Sequence, residues 1–184
     1  MKNIGKVMGL YPTPVVIVGV YVGNRVNWIN IAHIGIIGLD KIMLSIAKNH
    51  FSNQGIEQYK SCSLNIIDRT EIEKADYVGI VSGEKIDKSQ VFAHQITEEL
   101  HVPIISSAKV AMECSLFDNY KTDHHDNFVL EVINTFVDEN VLNDDGKIDY
   151  LKVDPLMFEM PNRKYLSVGE ELGKCWSIGL NKEE

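Results

Sequence analysis

The sequence predicts an antiparallel β-barrel, closed or half-closed, interrupted by short helices. Three observations predict it. Six or seven strand-like segments follow one another, most of them joined by hairpin turns. No βαβαβ alternation and no GxGxxG fingerprint breaks that pattern, which argues against the parallel nucleotide-binding folds. At 184 residues, 45% hydrophobic and 24% charged, the chain has the composition of one globular domain with a sizeable core. We therefore expect a single domain over residues 1–184, with its core at about 8–179.

The elements are expected in this order. Residues 1–10 are a surface lead-in, and Tyr11-Pro12-Thr13-Pro14 is rigid and extended because each proline fixes its own φ and biases its predecessor toward β. Val15–Val22 is a β-branched run, and Gly23-Asn24 suits a type II′ turn with Gly first. The chain returns through VNWINIAHIG, where Val26, Trp28 or Ile29, Ile31 and Ile34 compete for one buried face. Ile42–Ala47 is a further strand. A short helix starts near Ser52 or Asn53, either of which can cap it, and Gly55 weakens it. Ser61–Ile67 is a strand. Thr70 and Glu73 form a capping box for a helix reaching about Tyr77. Residues 79–107 carry few signals and read as an excursion from the core, with a small helix near Gln90–His94. Lys109–Tyr120 alternates as a half-buried strand, Asp123–Asp126 turns, and Asn127–Asp138 is a long strand with a bulge near Asn134. Asp144-Asp145-Gly146 marks a hairpin tip, and Asp154-Pro155 opens a last strand.

Charge and cysteine usage bound the function. A net charge of −8 disfavours nucleic acid and anionic membranes as partners, so an anionic ligand needs a local basic pocket. The longest apolar run is under ten residues, and no signal-like apolar region precedes Tyr11, so no membrane span and no export are expected. Cys62, Cys114 and Cys175 are far apart with no CxxC spacing; the first two sit in apolar segments and are expected to be inert core thiols. Three thiols fit a reducing cytoplasm.

Four stretches carry candidate chemistry. Lys48-Asn49-His50-Phe51-Ser52-Asn53 passes from strand to helix, where free N–H groups, Ser52 Oγ, Lys48 and His50 can hold a phosphate; an ordinary polar turn has the same composition. Ser82-Gly83-Glu84-Lys85 to Lys88 places two lysines beside Ser-Gly but lacks the Walker pattern, and a solvated loop is the better reading. His124-His125 between Asp123 and Asp126 resembles a metal cluster, yet neighbours on a strand face opposite ways, so one inward histidine in a pocket is the better reading. In Asn140–Lys152, Val141 and Lys152 fall on the outer ligand positions of a calcium loop and cannot serve there.

In order and spacing, these segments resemble the flavin reductase-like family with the FMN-binding split barrel, and its flavoredoxin branch in particular. The resemblance rests on Tyr11–Val15, Asn27–His33, Asn65, Tyr77–Gly83 followed by Asp87-Lys88, Glu113-Cys114, His125, Glu131-Val132 and Tyr165–Gly173. It implies a homodimer of split barrels, each binding one FMN non-covalently near the interface. Asn27, Asn30 and His33 would lie beside the flavin, with Ile31, Ala32 and Ala47 in the same implied site. Lys48, Asn49, His50 and Ser52 would hold its phosphate. Lys88 would reach the phosphate or ribityl chain, and His125 would approach from a neighbouring strand. The chain departs from the family pattern at Asn30 (for Thr), His33 (for Trp), His50 (for Arg), Ser52 (for Thr) and Ser89 (for Phe).

The resemblance implies an oxidoreductase or electron carrier in which the flavin performs the redox chemistry, with no catalytic side chain. Electrons would come from NAD(P)H or a protein donor and leave to a second acceptor, free flavin or a redox-protein partner among them. Two rivals accompany it: a sensory barrel that has lost turnover, and a haem-binding barrel with His33 or His125 on iron.

Overall fold

The computed structural model describes residues 1–180; residues 181–184 of the expected domain lie outside the described residues. The elements are β1 (Thr13–Pro14), β2 (Val16–Val22), β3 (Arg25–Ile31), β4 (Ile34–Ile36), β5 (Lys41–Ala47), α1 (Ser52–Tyr59), β6 (Ser61–Ile66), α2 (Ile72–Ile80), β7 (His94–Ile96), β8 (Pro103–Ile105), β9 (Val110–Lys121), β10 (His125–Val137), α3 (Tyr150–Val153), β11 (Met157–Glu159) and β12 (Lys164–Leu166). Seven strands form one antiparallel sheet in the order β3-β2-β6-β9-β10-β5-β4. It curls into a half-barrel around an apolar interior. Strands β1, β11 and β12 make a small second sheet, and β7 pairs only with β8.

The predicted hairpin forms as expected. Gly23 sits at φ +59° with Asn24 on the negative side, the signature of a type II′ turn. Competition for one buried face does not arise, because both faces of β2 and β3 are covered. Within these two strands only Tyr21, Arg25 and Asn30 are not buried. One face sends Val16, Val18, Val20, Ile29 and Ile31 into the barrel interior with Leu44, Ile46, Leu64, Phe128 and Leu130. The other sends Ile17, Val26 and Trp28 into a second core completed by Ala75 and Val78 of α2, Phe92, Ile105 and Leu156. A strand pair between two apolar layers has no reason to alternate, which explains the nearly unbroken run VVIVGVYV.

Residues 79–107 are therefore not an excursion. They supply part of the second core, and buried polar groups fasten them to the sheet. Asn65, fully buried on β6, donates to Ile17 O (2.9 Å) and accepts from Ile105 N (2.9 Å). Ser63 hydrogen-bonds Pro103 O. The buried Glu113 carboxylate accepts from Leu100 N (3.3 Å) and Asn134 Nδ2 (2.6 Å). The helix expected near Gln90–His94 is a turn leading into β7.

Other boundaries move for local reasons. Thr70 does not cap α2: Asp68 caps a 3-10 turn over Arg69–Glu71 by accepting from Thr70 N (2.8 Å), and α2 follows from Glu71 without a side-chain cap and runs on to Ile80. Neither Ser52 nor Asn53 caps α1; Phe51 occupies the cap position, without a side-chain bond. The bulge near Asn134 is present, between Val132 and Asn134. Beyond the expected last strand the chain adds β12. Cys62 and Cys114 are buried core thiols, their pKa values pushed up by burial, that of Cys114 to about 12. No helix among the described residues is long and apolar enough to cross a membrane.

Gly55 makes α1 fit. A Cβ there would strike Tyr21 O and lie 2.8 Å from Val20 Cγ2 on the adjacent strand. Glycine thus weakens the helix in isolation but lets it pack against β2. Gly55→Ala is expected to lower stability by about 1–3 kcal/mol, the range for overpacking a filled core. Chemical denaturation of the two proteins measures it; an unchanged or raised midpoint would show that α1 does not press on β2.

Candidate functional site

Pleating decides how the two asparagines of β3 are used. Residues 27 and 30 have opposite parity, so their side chains leave the strand on opposite faces. Asn27 faces the interior and donates to Ser52 Oγ (2.8 Å), joining β3 to the start of α1. Asn30 faces the second core, where it donates to Ala75 O of α2 (3.1 Å) and to the Tyr165 hydroxyl of β12 (3.2 Å). Tyr165 donates in turn to Asp76 Oδ1 (2.9 Å). Burial, followed by the Asp76 carboxylate, pushes the Tyr165 phenol up to about 12.

Above this network lies a cavity of about 390 Å³, a volume in the range of small-molecule sites. Asn30, Ile31, Ala32, His33, Ala47, His50 and His125 from the predicted set line it. Ser45, Asp76, Gly79, Ile80, Phe158, Met160 and Tyr165 complete it, and sequence reasoning did not select them. Tyr165 stood in a segment singled out for family resemblance, but nothing local marked it. Asp76 and Ile80 lie on the exposed side of an amphipathic helix, where an acid and an aliphatic carry no signal.

Three histidines surround the cavity. The His33 ring bonds the Tyr11 hydroxyl (Nε2 to Oη 3.1 Å) and lies 6.3 Å from that of His125. His125 opens β10 opposite Ala47 of β5. Half-buried His50 has its pKa lowered by burial, with smaller contributions from Lys88 and His125, so it stays neutral to lower pH than a free imidazole. Among the described residues, no group of three His, Cys, Asp or Glu side chains is placed to hold a metal ion.

The remaining predicted residues stand outside the cavity lining. Lys48 and Asn49 are exposed in the turn between β5 and α1. That turn is clamped: Lys48 N donates to His124 O (3.0 Å), and Asn53 Nδ2 donates to Ala47 O (3.2 Å) and to buried Asp126 (2.8 Å). The Phe51 and Ser52 amides donate to no group among the described residues. Ser52 is buried, its oxygen occupied by Asn27. Lys88 is only 3% exposed and donates to Val78 O (3.0 Å) and Val81 O (3.2 Å) at the end of α2. It sits where the helix dipole favours a cation, close enough to His50 to depress it. Arg25, which the sequence did not flag, lies over the Phe51 ring (5.8 Å) and adds a further cation at this end.

Residues 8–166 match the family model described as flavin reductase like domain. The structure is similar to a flavoredoxin from Methanosarcina acetivorans (30% identity, TM-score 0.92, covering 97% of each chain). It is also similar to the flavoredoxin of Desulfovibrio vulgaris (Miyazaki F) (33% identity, TM-score 0.91, covering 97% of this chain and 99% of that one). An FMN-binding protein from Thermus thermophilus with bound 1-cyclohex-2-enone shares the fold at 23% identity (TM-score 0.80, covering 95% and 98%). No curated protein sequence matches the chain.

Burial lowers the Lys88 amine from 10.5 to about 8. The unfolded chain therefore holds this proton to higher pH than the folded one, and between about pH 8 and 10.5 the linked stability rises with pH. Lys88→Met is expected to abolish that rise. Parallel denaturation series at pH 7.5 and 9.5 test it; the same pH dependence in both proteins would mean that Lys88 titrates as an exposed lysine.

Proposed function

Because the chain belongs to the flavin reductase-like family, we propose that it binds one FMN non-covalently in this cavity and serves as an oxidoreductase or electron carrier. The single observation that carries the reading is the joining of two unlike environments. One is a partly apolar cavity; the other is a strand-to-helix turn with unpartnered amides and local cations on a protein of net charge −8.

The residues fit the group. The Phe51 and Ser52 amides, Lys48 and His50 are a donor set for a dianionic phosphate, and the Asn53–Asp126 clamp holds their turn in one shape. Ile31, Ala32, Ala47, Ile80, Phe158 and Met160 offer apolar walls to a planar ring, and Asn30 and His33 offer polar edges. Ser52 and Asn27 act from behind, as the bond that seats α1 on β3. Bound FMN would supply the hydride and electron chemistry. The chain binds, orients and shields it, and no side chain needs to act as acid or base.

Electrons would arrive from NAD(P)H or a redox-protein donor. A homodimer is part of the proposal. Large apolar side chains stand exposed beside the β4 edge (Ile36, Leu39) and on both terminal segments (Met8, Leu10, Leu172, Trp176), as expected of surfaces covered by a second copy. A cytoplasmic setting agrees with the free thiols.

The test is the visible spectrum of purified protein with added FMN, before and after anaerobic NADH and NADPH. We expect FMN uptake and bleaching of its bands by one nucleotide. Uptake without bleaching favours an electron carrier served by a protein donor or a sensory barrel without turnover, and no uptake overturns the proposal. A second expectation concerns pH. The phosphate favours protonated His50, whose pKa burial lowers, so FMN should bind more tightly as pH falls from about 7.5 toward about 6.5, above the second ionisation of the phosphate at about 6. The gain is limited to about tenfold per pH unit for one linked proton. Riboflavin, lacking the phosphate, should show no such trend in isothermal titration; equal trends for both ligands would remove His50 from the phosphate site.

A further inference from the structure

The orientation of Asn30 is dictated by its neighbours. The Ala75 carbonyl can only accept a hydrogen bond, so the group facing it at 3.1 Å must be the amide nitrogen. The same nitrogen reaches the Tyr165 oxygen at 3.2 Å. Tyr165 has one proton, and it is donated to the Asp76 carboxylate at 2.9 Å, which leaves the phenol oxygen to accept from Asn30. Both N–H groups of Asn30 are thus assigned, and a flipped amide would set Oδ1 against the Ala75 carbonyl and could keep Tyr165 only by drawing its proton from Asp76. Its Oδ1 accepts from no group among the described residues and is not sealed from solvent, although Asn30 lines the cavity.

We infer that Asn30 Oδ1 is a fixed hydrogen-bond acceptor for a ring N–H of the bound flavin, and that Tyr165 and Asp76 are the positioning residues that aim it. The inference rests on the proposed FMN binding and assigns one atom within that site. The flavin ring has two kinds of candidate donor. One N–H, in the pyrimidine-like ring, is present in both redox states. The central-ring nitrogen, N5, carries a proton only once the flavin is reduced, in the neutral one-electron and the two-electron forms; oxidised, it is itself an acceptor and opposes Oδ1. A contact with the first is indifferent to redox state, whereas a contact with the second favours the reduced form.

FMN titrations of wild type, Asn30→Leu, Tyr165→Phe and Asp76→Ala, each in oxidised and dithionite-reduced solution, test this. Asp76 is exposed, so its variant keeps the experiment informative if a cavity variant fails to fold. We expect Asn30→Leu and Tyr165→Phe to weaken binding about three- to tenfold, the worth of one hydrogen bond, with Asp76→Ala weaker in the same direction. Equal loss in both states assigns the contact to the pyrimidine-ring N–H. Loss confined to the reduced state assigns it to N5, and lowers the midpoint potential of bound FMN by about 30 mV per tenfold. Unchanged affinity in both states, with folding intact, overturns the inference alone. Wild-type protein that takes up no FMN overturns the proposed function and this inference with it.

Discussion

Burial of β2 and β3 on both faces is the constraint on which the rest of the molecule depends. With one apolar layer inside the half-barrel and another outside, the strand pair has little solvated surface on which to place a polar group, and Asn30 opens only toward the cavity. A buried polar group without a partner costs several times what its hydrogen bond contributes. Each asparagine on β3 therefore needs a partner on another element, and each reaches a different one. Asn27 secures α1, and Asn30 secures α2 and β12. The floor of the cavity and the seat of the basic turn are fixed by the same strand.

The second apolar layer is held on by polar pins. Asn65, Ser63 and Glu113 are all buried on the central strands, and each bonds a backbone group of the 100–105 stretch. These contacts satisfy donors and acceptors that a segment with little regular structure cannot satisfy itself. The same 79–107 stretch carries Lys88 to the end of α2. There it meets carbonyls rather than a carboxylate, so its charge is not neutralised and is felt by His50. An acidic protein thus acquires a local positive field beside the cavity without an ion pair to cancel it.

The cavity forms where these parts meet. It draws on β3, β5, α2, β10 and the β11–β12 sheet, with residues from Asn30 to Tyr165. Its ring-shaped apolar walls come from strand ends and α2. Its polar contacts come from side chains already oriented by protein partners: His33 by Tyr11, Asn30 by Ala75 and Tyr165. Such preorganisation reduces the ordering cost of binding a planar ligand.

The sequence by itself determined the antiparallel class, the hairpin at Gly23-Asn24, the bulge near Asn134, the buried pair Cys62 and Cys114, and the polar turn between β5 and α1. These are local matters: β-branched runs, a glycine turn and a change of period are legible within a dozen residues. Seven of the cavity-lining residues were also legible, through the resemblance to the flavin reductase-like family; of these, local chemistry marked only His50, in the polar turn, and His125, as an inward histidine. Only the tertiary structure decided that Trp28 and Ile29 are both buried, since a covered second face leaves no alternation to read. It alone decided that Ser52 faces Asn27 instead of capping α1, and that Lys88 caps α2 instead of standing in a solvated loop. Asp76 and Tyr165 were chosen the same way. An exposed helical acid and a tyrosine 89 positions apart acquire a role only when the second sheet folds back over α2 and brings hydroxyl to carboxylate at 2.9 Å.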